Sequence, residues 1–173
     1  MLKDMMNQGE SKKPISEEDK LFMREAIEMS LKGMRSGDGG PFGCIIVNEN
    51  GVIIGKGNNK VTSSNDPTAH AEVVAIRDAC QNIGHFQLDN CTIYTSCEPC
   101  PMCLGAIYWA RPARIVYACS REDAAAIDFD DEFLYQELIL PMHERRIPIV
   151  QALQNEGIKV FKEWKNKNDK IEY

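Results

Sequence analysis

Asp66-Pro67-Thr68-Ala69-His70-Ala71-Glu72-Val73 and, thirty positions further on, Tyr94-Thr95-Ser96-Cys97-Glu98-Pro99-Cys100-Pro101-Met102-Cys103 are the stretches that decide how this chain folds and what it does. Read as chemistry, they offer one imidazole, two thiols and a carboxylate. His70, Cys100 and Cys103 can hold a zinc ion, and Glu72 can move protons. The spacing predicts a helix starting near Ala69, with His70 in its first turn and Asp66 or Thr68 as N-cap. A second helix is predicted from Cys100, with Pro101 near the first helical position, where a missing N–H is harmless. Cys100 and Cys103 then share one helical face. Both lie where a helix N-terminus favours negative charge and lowers a thiol pKa. Two thiolates and one neutral imidazole neutralise Zn²⁺ and leave a fourth tetrahedral position open, the arrangement of a catalytic site. A water there would have a pKa of roughly 7. Glu72 is two residues from His70 and does not share its helical face, yet it can overhang the metal.

Blander readings of the same residues stay open at this stage. Cys-x-x-Cys alone also fits a redox pair. Cys97 extends the run to three cysteines, which fits a closed Cys₃His structural zinc. Against the closed site, Cys97 follows Ile93-Tyr94-Thr95-Ser96, which reads as a strand end, and a structural zinc gives Glu72 no task.

The chain has 173 residues and a net charge of −6, with a pI near 5.1. That length suits one domain with a full core. The acidic balance argues against an extended nucleic-acid surface. The seven cysteines are Cys44, Cys80, Cys91, Cys97, Cys100, Cys103 and Cys119. Their odd number, and the polar residues that interrupt any apolar N-terminal run, point to reduced thiols in a cytoplasmic protein. Cys44, Cys80, Cys91 and Cys119 read as core or spectator thiols. No stretch approaches the roughly 18 apolar residues of a membrane span.

Outward from the motifs, residues 1–15 read as a disordered tail and 16–173 as a single domain. Ser16 opens a helix with Phe22, Ala26, Met29 and Gly33 on its inner stripe. Residues 37–40 form a turn. Asn50-Gly51 joins two antiparallel strands at 44–47 and 52–57. Further strands are predicted at 91–95, 114–118 and 147–153, and short helical turns near 123–126 and 132–138. A last helix over 155–167 would turn Phe161 and Trp164 inward. Helices alternating with strands imply an α/β fold with a sheet between helical layers.

The two opening stretches, continued through Leu104-Gly105-Ala106-Ile107, resemble the cytidine deaminase-like superfamily of zinc deaminases, whose His and Cys-x-x-Cys ligands with a non-ligating Glu are well known. Gly39-Gly40-Pro41-Phe42-Gly43, Tyr108-Trp109-Ala110-Arg111-Pro112, Phe129-Asp130-Asp131 and the terminal Glu172-Tyr173 narrow the resemblance to the bacterial-type guanine deaminases. The resemblance covers about residues 20–173. It implies a three-layer α/β/α sandwich with a five-stranded mixed sheet. It implies His70, Cys100 and Cys103 as ligands of one zinc per subunit and Glu72 as proton shuttle. It also implies Asn59, Asp131, Phe42, Ala71, Trp109 and Tyr173 around the substrate guanine. It further implies a homodimer in which residues 150–173 pass to the other subunit, so that Tyr173 closes a pocket. Residues before about Ser16 depart from the shorter family pattern, and 151–168 match weakly.

The activity implied is conversion of guanine to xanthine and ammonia. Local chemistry offers other roles for the same residues. Asn59 can be a turn residue after a strand, Asp131 a helix N-cap before Glu132, Phe42 and Trp109 plain core, and Tyr173 a frayed end. His85 and His143 read as ordinary histidines, and Glu98 as part of the turn before Cys100. The rival activities are adenosine deamination in tRNA, which calls for basic residues around the pocket and room for a flipped base, and deamination of guanosine, cytosine or ammeline. A zinc-stabilised interaction protein is the alternative outside enzymes.

Overall fold

The computed structural model describes residues 14–172. The expected tail therefore lies largely outside the described residues, as does Tyr173. The elements run α1 (Glu17–Arg35), β1 (Gly43–Val47), β2 (Ile53–Asn58), α2 (Val61–Ser64), α3 (Ala71–Ile83), β3 (Thr92–Cys97), α4 (Pro101–Ala110), β4 (Arg114–Cys119), α5 (Arg121–Ala125), α6 (Glu132–Ile139) and α7 (Gln154–Asn166), with a 3₁₀ turn at Met142–Glu144 before α7.

The strands form one sheet in the order β2-β1-β3-β4. β1 is antiparallel to both neighbours, and β3 runs parallel to β4. The alternating side chains of β1 and β3 feed two separate cores. On one face, Ile45, Val47, Tyr94 and Val116 pack with Ala26 of α1, flanked by Phe22 and Met29. On the other, Cys44, Ile46 and Ile93 pack with Ala71, Ala75 and Ala79 of α3 and Ile107 and Ala110 of α4. The result is the α/β/α sandwich that the sequence implies.

α1 begins with a capping box in which Ser16 and Asp19 satisfy each other's backbone N–H groups. Asp19 then does more than cap. Its carboxylate accepts from the Tyr94 hydroxyl at 2.8 Å and from Arg114 at 2.9 Å, which ties the start of α1 to β3 and β4. α3 lies against the backbone of the edge strand β2. A Cβ on Gly57 would come 2.3 Å from the Ala71 carbonyl oxygen, and one on Gly55 would come 2.6 Å from that of Ala75. Glycine at these two positions therefore sets how closely helix and strand approach.

Three expectations need correction. Among the described residues the sheet has four strands, because residues 147–153 are irregular. Pro148 removes a ladder donor there, and Leu153 turns left-handed (φ 54°) to start α7. Phe161 and Trp164 are not inward but 74% and 44% exposed in this chain. Finally, α3 starts at Ala71, with His70 rather than Asp66 or Thr68 at the N-cap. Asp66 instead closes a local turn onto Thr68.

Candidate active site

The shift of α3 by two residues explains how His70 and Glu72 reach the same place. His70 has extended backbone (φ −68°, ψ 155°) and Glu72 lies in the first helical turn. A pair that would diverge on a continuous helix thus converges. At the facing helix, Cys100 is the N-cap of α4, also extended, and Pro101 follows at the first position. Cys103 lies in the first turn and is completely buried. Both helix starts therefore meet where β3 ends, and each brings ligands to the meeting point.

The three donor atoms of His70, Cys100 and Cys103 all lie within 4.8 Å of one another. His70 Nδ1 is 3.6 Å from Cys100 Sγ and 3.5 Å from Cys103 Sγ. Zinc bonded to nitrogen and sulfur at ordinary lengths and the tetrahedral angle would hold them about 3.6 Å apart. The residues therefore fit a zinc ion without rearrangement. Cys97 is not part of the cluster; its thiol turns to the Ser120 carbonyl, and burial first of all pushes its pKa up to about 11. The closed Cys₃His reading falls on that geometry. All seven cysteines are free thiols.

The site's electrostatics suit a cation. The hydrogen bond from Cys103, aided by His70, holds the Cys100 thiol down at about 4 despite burial. The same hydrogen bond, followed by burial, pushes Cys103 up. His70 is raised, chiefly through its bond with Cys100. Glu72 is 6% exposed, and burial raises its pKa although hydrogen bonds from Thr95 and Cys103 oppose the shift. The Thr95 hydroxyl donates to Oε1 at 3.1 Å, and the Cys103 thiol reaches Oε2 at 3.4 Å. A buried carboxyl with a raised pKa is suited to taking and giving protons.

A cavity of about 430 Å³ opens from this cluster, lined by His70, Glu72, Cys100, Phe42, Asn59 and Asp131 among others. Asn59 serves the turn and also lines the cavity. Its Oδ1 accepts from Gly40 N at 3.3 Å and Val61 N at 3.1 Å, so the turn fixes the amide while its nitrogen makes no bond with the described residues. Asp131 holds the N-cap position of α6 without a side-chain cap bond. Asp130 takes that task, accepting from Glu132 N at 2.9 Å. The Asp131 carboxylate is left on the cavity wall, its pKa raised by burial and then by the negative Cys100. Phe42 meets Phe129 edge to face, centroids 4.9 Å apart, and the pair forms an apolar wall.

Two expected site residues lie elsewhere in this chain. Ala71 is in the core beneath β2. Trp109 is 63% exposed and lines a different groove, with Val73, Ile76, Phe86 and Ile171. α4 is apolar on every side, so its sequence period does not tell which face meets a cavity. Sequence reasoning quoted Phe129 in the Phe129-Asp130-Asp131 motif without giving it a place in the site, and passed over Thr95 and Arg121. Arg121 lines the cavity and lies over the Tyr135 ring. Only Thr95 carried a usable signal, as a hydroxyl in phase with the inward-facing Ile93.

Residues 16–119 match the profile of the cytidine and deoxycytidylate deaminase zinc-binding region. The chain belongs to this deaminase family. Among relatives of this deaminase, the guanine deaminase of Bacillus subtilis (strain 168) is 53% identical over 152 residues, 88% of this chain and 97% of that protein. The crystal structure of guanine deaminase from Bacillus subtilis superposes with a TM-score of 0.86 at 52% identity, covering 89% of this chain and 98% of the other. A tRNA-specific adenosine deaminase of Haemophilus influenzae is 40% identical over 121 residues, 67% of this deaminase and 69% of its own length. The family's zinc-binding region contains every residue of the cluster, from His70 to Cys103, together with Phe42 and Asn59. Asp131 and Phe129 lie beyond it, on the segment that closes the far side of the cavity. Among the described residues no helix is long and apolar enough to cross a membrane.

Proposed function

We propose that this chain hydrolyses guanine to xanthine and ammonia, with one zinc per subunit held by His70, Cys100 and Cys103. The observation that carries the reading is the common cavity, which gathers a metal-binding triad, a buried carboxyl and a flat apolar wall with polar groups at its rim. That combination suits a planar heterocycle. When bound, zinc supplies an acidified water as nucleophile at neutral pH. Glu72 takes a proton from the attacking water and passes it to ring N3 as oxygen adds to C2. It then takes the second proton from the hydroxyl now on C2 and hands it to the amine, so that C2=O forms as the C2–N bond breaks and ammonia leaves. Phe42 lies against the ring face. The Asp131 carboxylate accepts hydrogen bonds from the guanine N–H edge, and the Asn59 amide contacts the ring nitrogens. Adenine presents a different edge and loses the Asp131 contact.

The same reading treats residues 16–173 as one deaminase domain and places it in the cytoplasm, where ligand thiols stay reduced. It also assigns the C-terminal segment 150–173 to a second copy of the chain. Val150, Phe161 and Trp164 are 86%, 74% and 44% exposed, more apolar surface than a lone subunit normally leaves uncovered. In a dimer Tyr173 closes a pocket and Trp109 gains a neighbour.

The test is product release from the zinc-loaded protein offered guanine, guanosine, cytosine, adenine, ammeline and tRNA in separate assays. Guanine should have the highest kcat/KM, with xanthine and ammonia formed in equal amounts. Inosine formed in tRNA faster than xanthine from guanine, or no ammonia from guanine, would overturn the assignment.

A further inference from the structure

Thr95 is the buried polar side chain at this site that the reaction scheme leaves unused. It lies on β3, an interior strand of the sheet, and is 1% exposed. A hydroxyl in such a place is costly unless it is hydrogen-bonded. Among the described residues, its side chain makes one hydrogen bond, donated to Glu72 Oε1 at 3.1 Å across 23 residues of sequence. The other carboxylate oxygen meets the Cys103 thiol at 3.4 Å. That second donor depends on a sulfur proton, and a sulfur that ligates a metal carries none. The Thr95 hydroxyl does not ligate and keeps its proton. Its β-branched side chain has few rotamers in a packed strand, so the donor is held in place by shape.

We infer that Thr95 is a positioning residue for the deamination: its hydroxyl fixes one oxygen of Glu72 and so leaves the carboxylate in a single orientation for moving protons between water and ring. This rests on reading Glu72 as the proton shuttle. Without the hydroxyl the carboxylate turns about its last torsion, and the geometry of proton transfer degrades while the pocket that binds guanine is untouched.

Thr95→Val keeps the shape and removes the donor, Thr95→Ser keeps the donor, and Glu72→Gln is measured alongside. For Thr95→Val, kcat should fall about 10- to 100-fold, with KM for guanine changed less than about threefold, zinc content unchanged and Tm within about 2 °C. Thr95→Ser should recover most of kcat. A crystal structure of Thr95→Val should show the Glu72 carboxylate in more than one orientation. An unchanged kcat in Thr95→Val, a loss that follows zinc or Tm, or a folded Thr95→Ser as slow as Thr95→Val would each overturn the inference. If Thr95→Val does not fold, Thr95→Ala is judged by the same criteria, and a wild-type kcat there overturns it too. Full turnover in Glu72→Gln would instead remove the shuttle reading itself, a result distinguishable from all of these.

Discussion

The two parts of this molecule differ in where their apolar residues go. Every buried residue among those described lies between Asp19 and Val116, and none from Tyr117 to Glu172 is buried. The second part is not poor in apolar side chains: Phe133, Ile139, Ile147, Val150, Phe161 and Trp164 are all exposed. Burial in the first part is what gives the metal site its fixed ligands and its raised Glu72. The second part contributes Arg121, Phe129 and Asp131, among others, to the cavity and leaves most of its large apolar side chains exposed. The contrast separates the packed sandwich, which fixes the metal ligands, from the C-terminal tail, which lines one side of the cavity and leaves its apolar residues exposed.

Variants at the buried end should move stability and activity together, and those in the tail should not. The largest effect is expected for Cys103→Ala. Turnover should drop to background, bound zinc should be lost by mass spectrometry, and Tm should fall by on the order of 10 °C. Glu72→Gln sharpens the point by breaking it: zinc stays, turnover falls about 10²- to 10⁴-fold, and Tm holds or rises, because a buried carboxyl is replaced by a neutral amide. Equal losses of activity and zinc would count against a shuttle. Truncation after residue 149 should leave zinc bound and kcat/KM lower by about tenfold. It should also give a monomer by light scattering, with a Tm that no longer depends on protein concentration. A truncated chain that remains dimeric would show that the tail is not what joins the copies.

The smallest effect concerns acid. Burial alone would raise the Asp19 pKa, but the Ser16 backbone and hydroxyl, the Tyr94 hydroxyl and Arg114 hold it at about 2 against an ordinary 3.8. A lowered carboxyl stabilises the fold above its unfolded value and stops doing so as pH falls through the folded one. The contribution, on the order of 2 kcal/mol, is present above about pH 4 and is lost toward pH 2. In Asp19→Asn the fall in Tm over that interval should be shallower than in the unaltered protein.

What could be read from sequence was local. His70, Cys100 and Cys103 declare themselves because metal ligation imposes residue type and spacing on short stretches, and the two core faces of β1 and β3 follow from strand period. The start of α3 was misplaced because Asp66 and Thr68 look like caps, while the competing turn between them is decided by hydrogen bonds that no propensity records. The strand expected at 147–153 has suitable side chains but contains Pro148 and pairs with no strand among the described residues. The groove that Trp109 lines was not legible, because a helix apolar all round carries no directional pattern. Strand period turns the Thr95 hydroxyl inward with Ile93, but what it serves is legible only once its partner, 23 residues away, is known.

α3 rests directly on the backbone of β2. At Gly55 and Gly57 the edge strand acts as a gauge whose setting is the missing side chain, and the helix that rests on it carries His70 and Glu72 at its near end. One added methyl group would come 2.6 Å (Gly55) or 2.3 Å (Gly57) from a carbonyl oxygen of the helix, so that end would have to move by about an ångström to restore ordinary contact. Tuning the zinc-binding geometry, by selection or by engineering, can therefore proceed from the far side of the helix without altering any residue that meets the substrate.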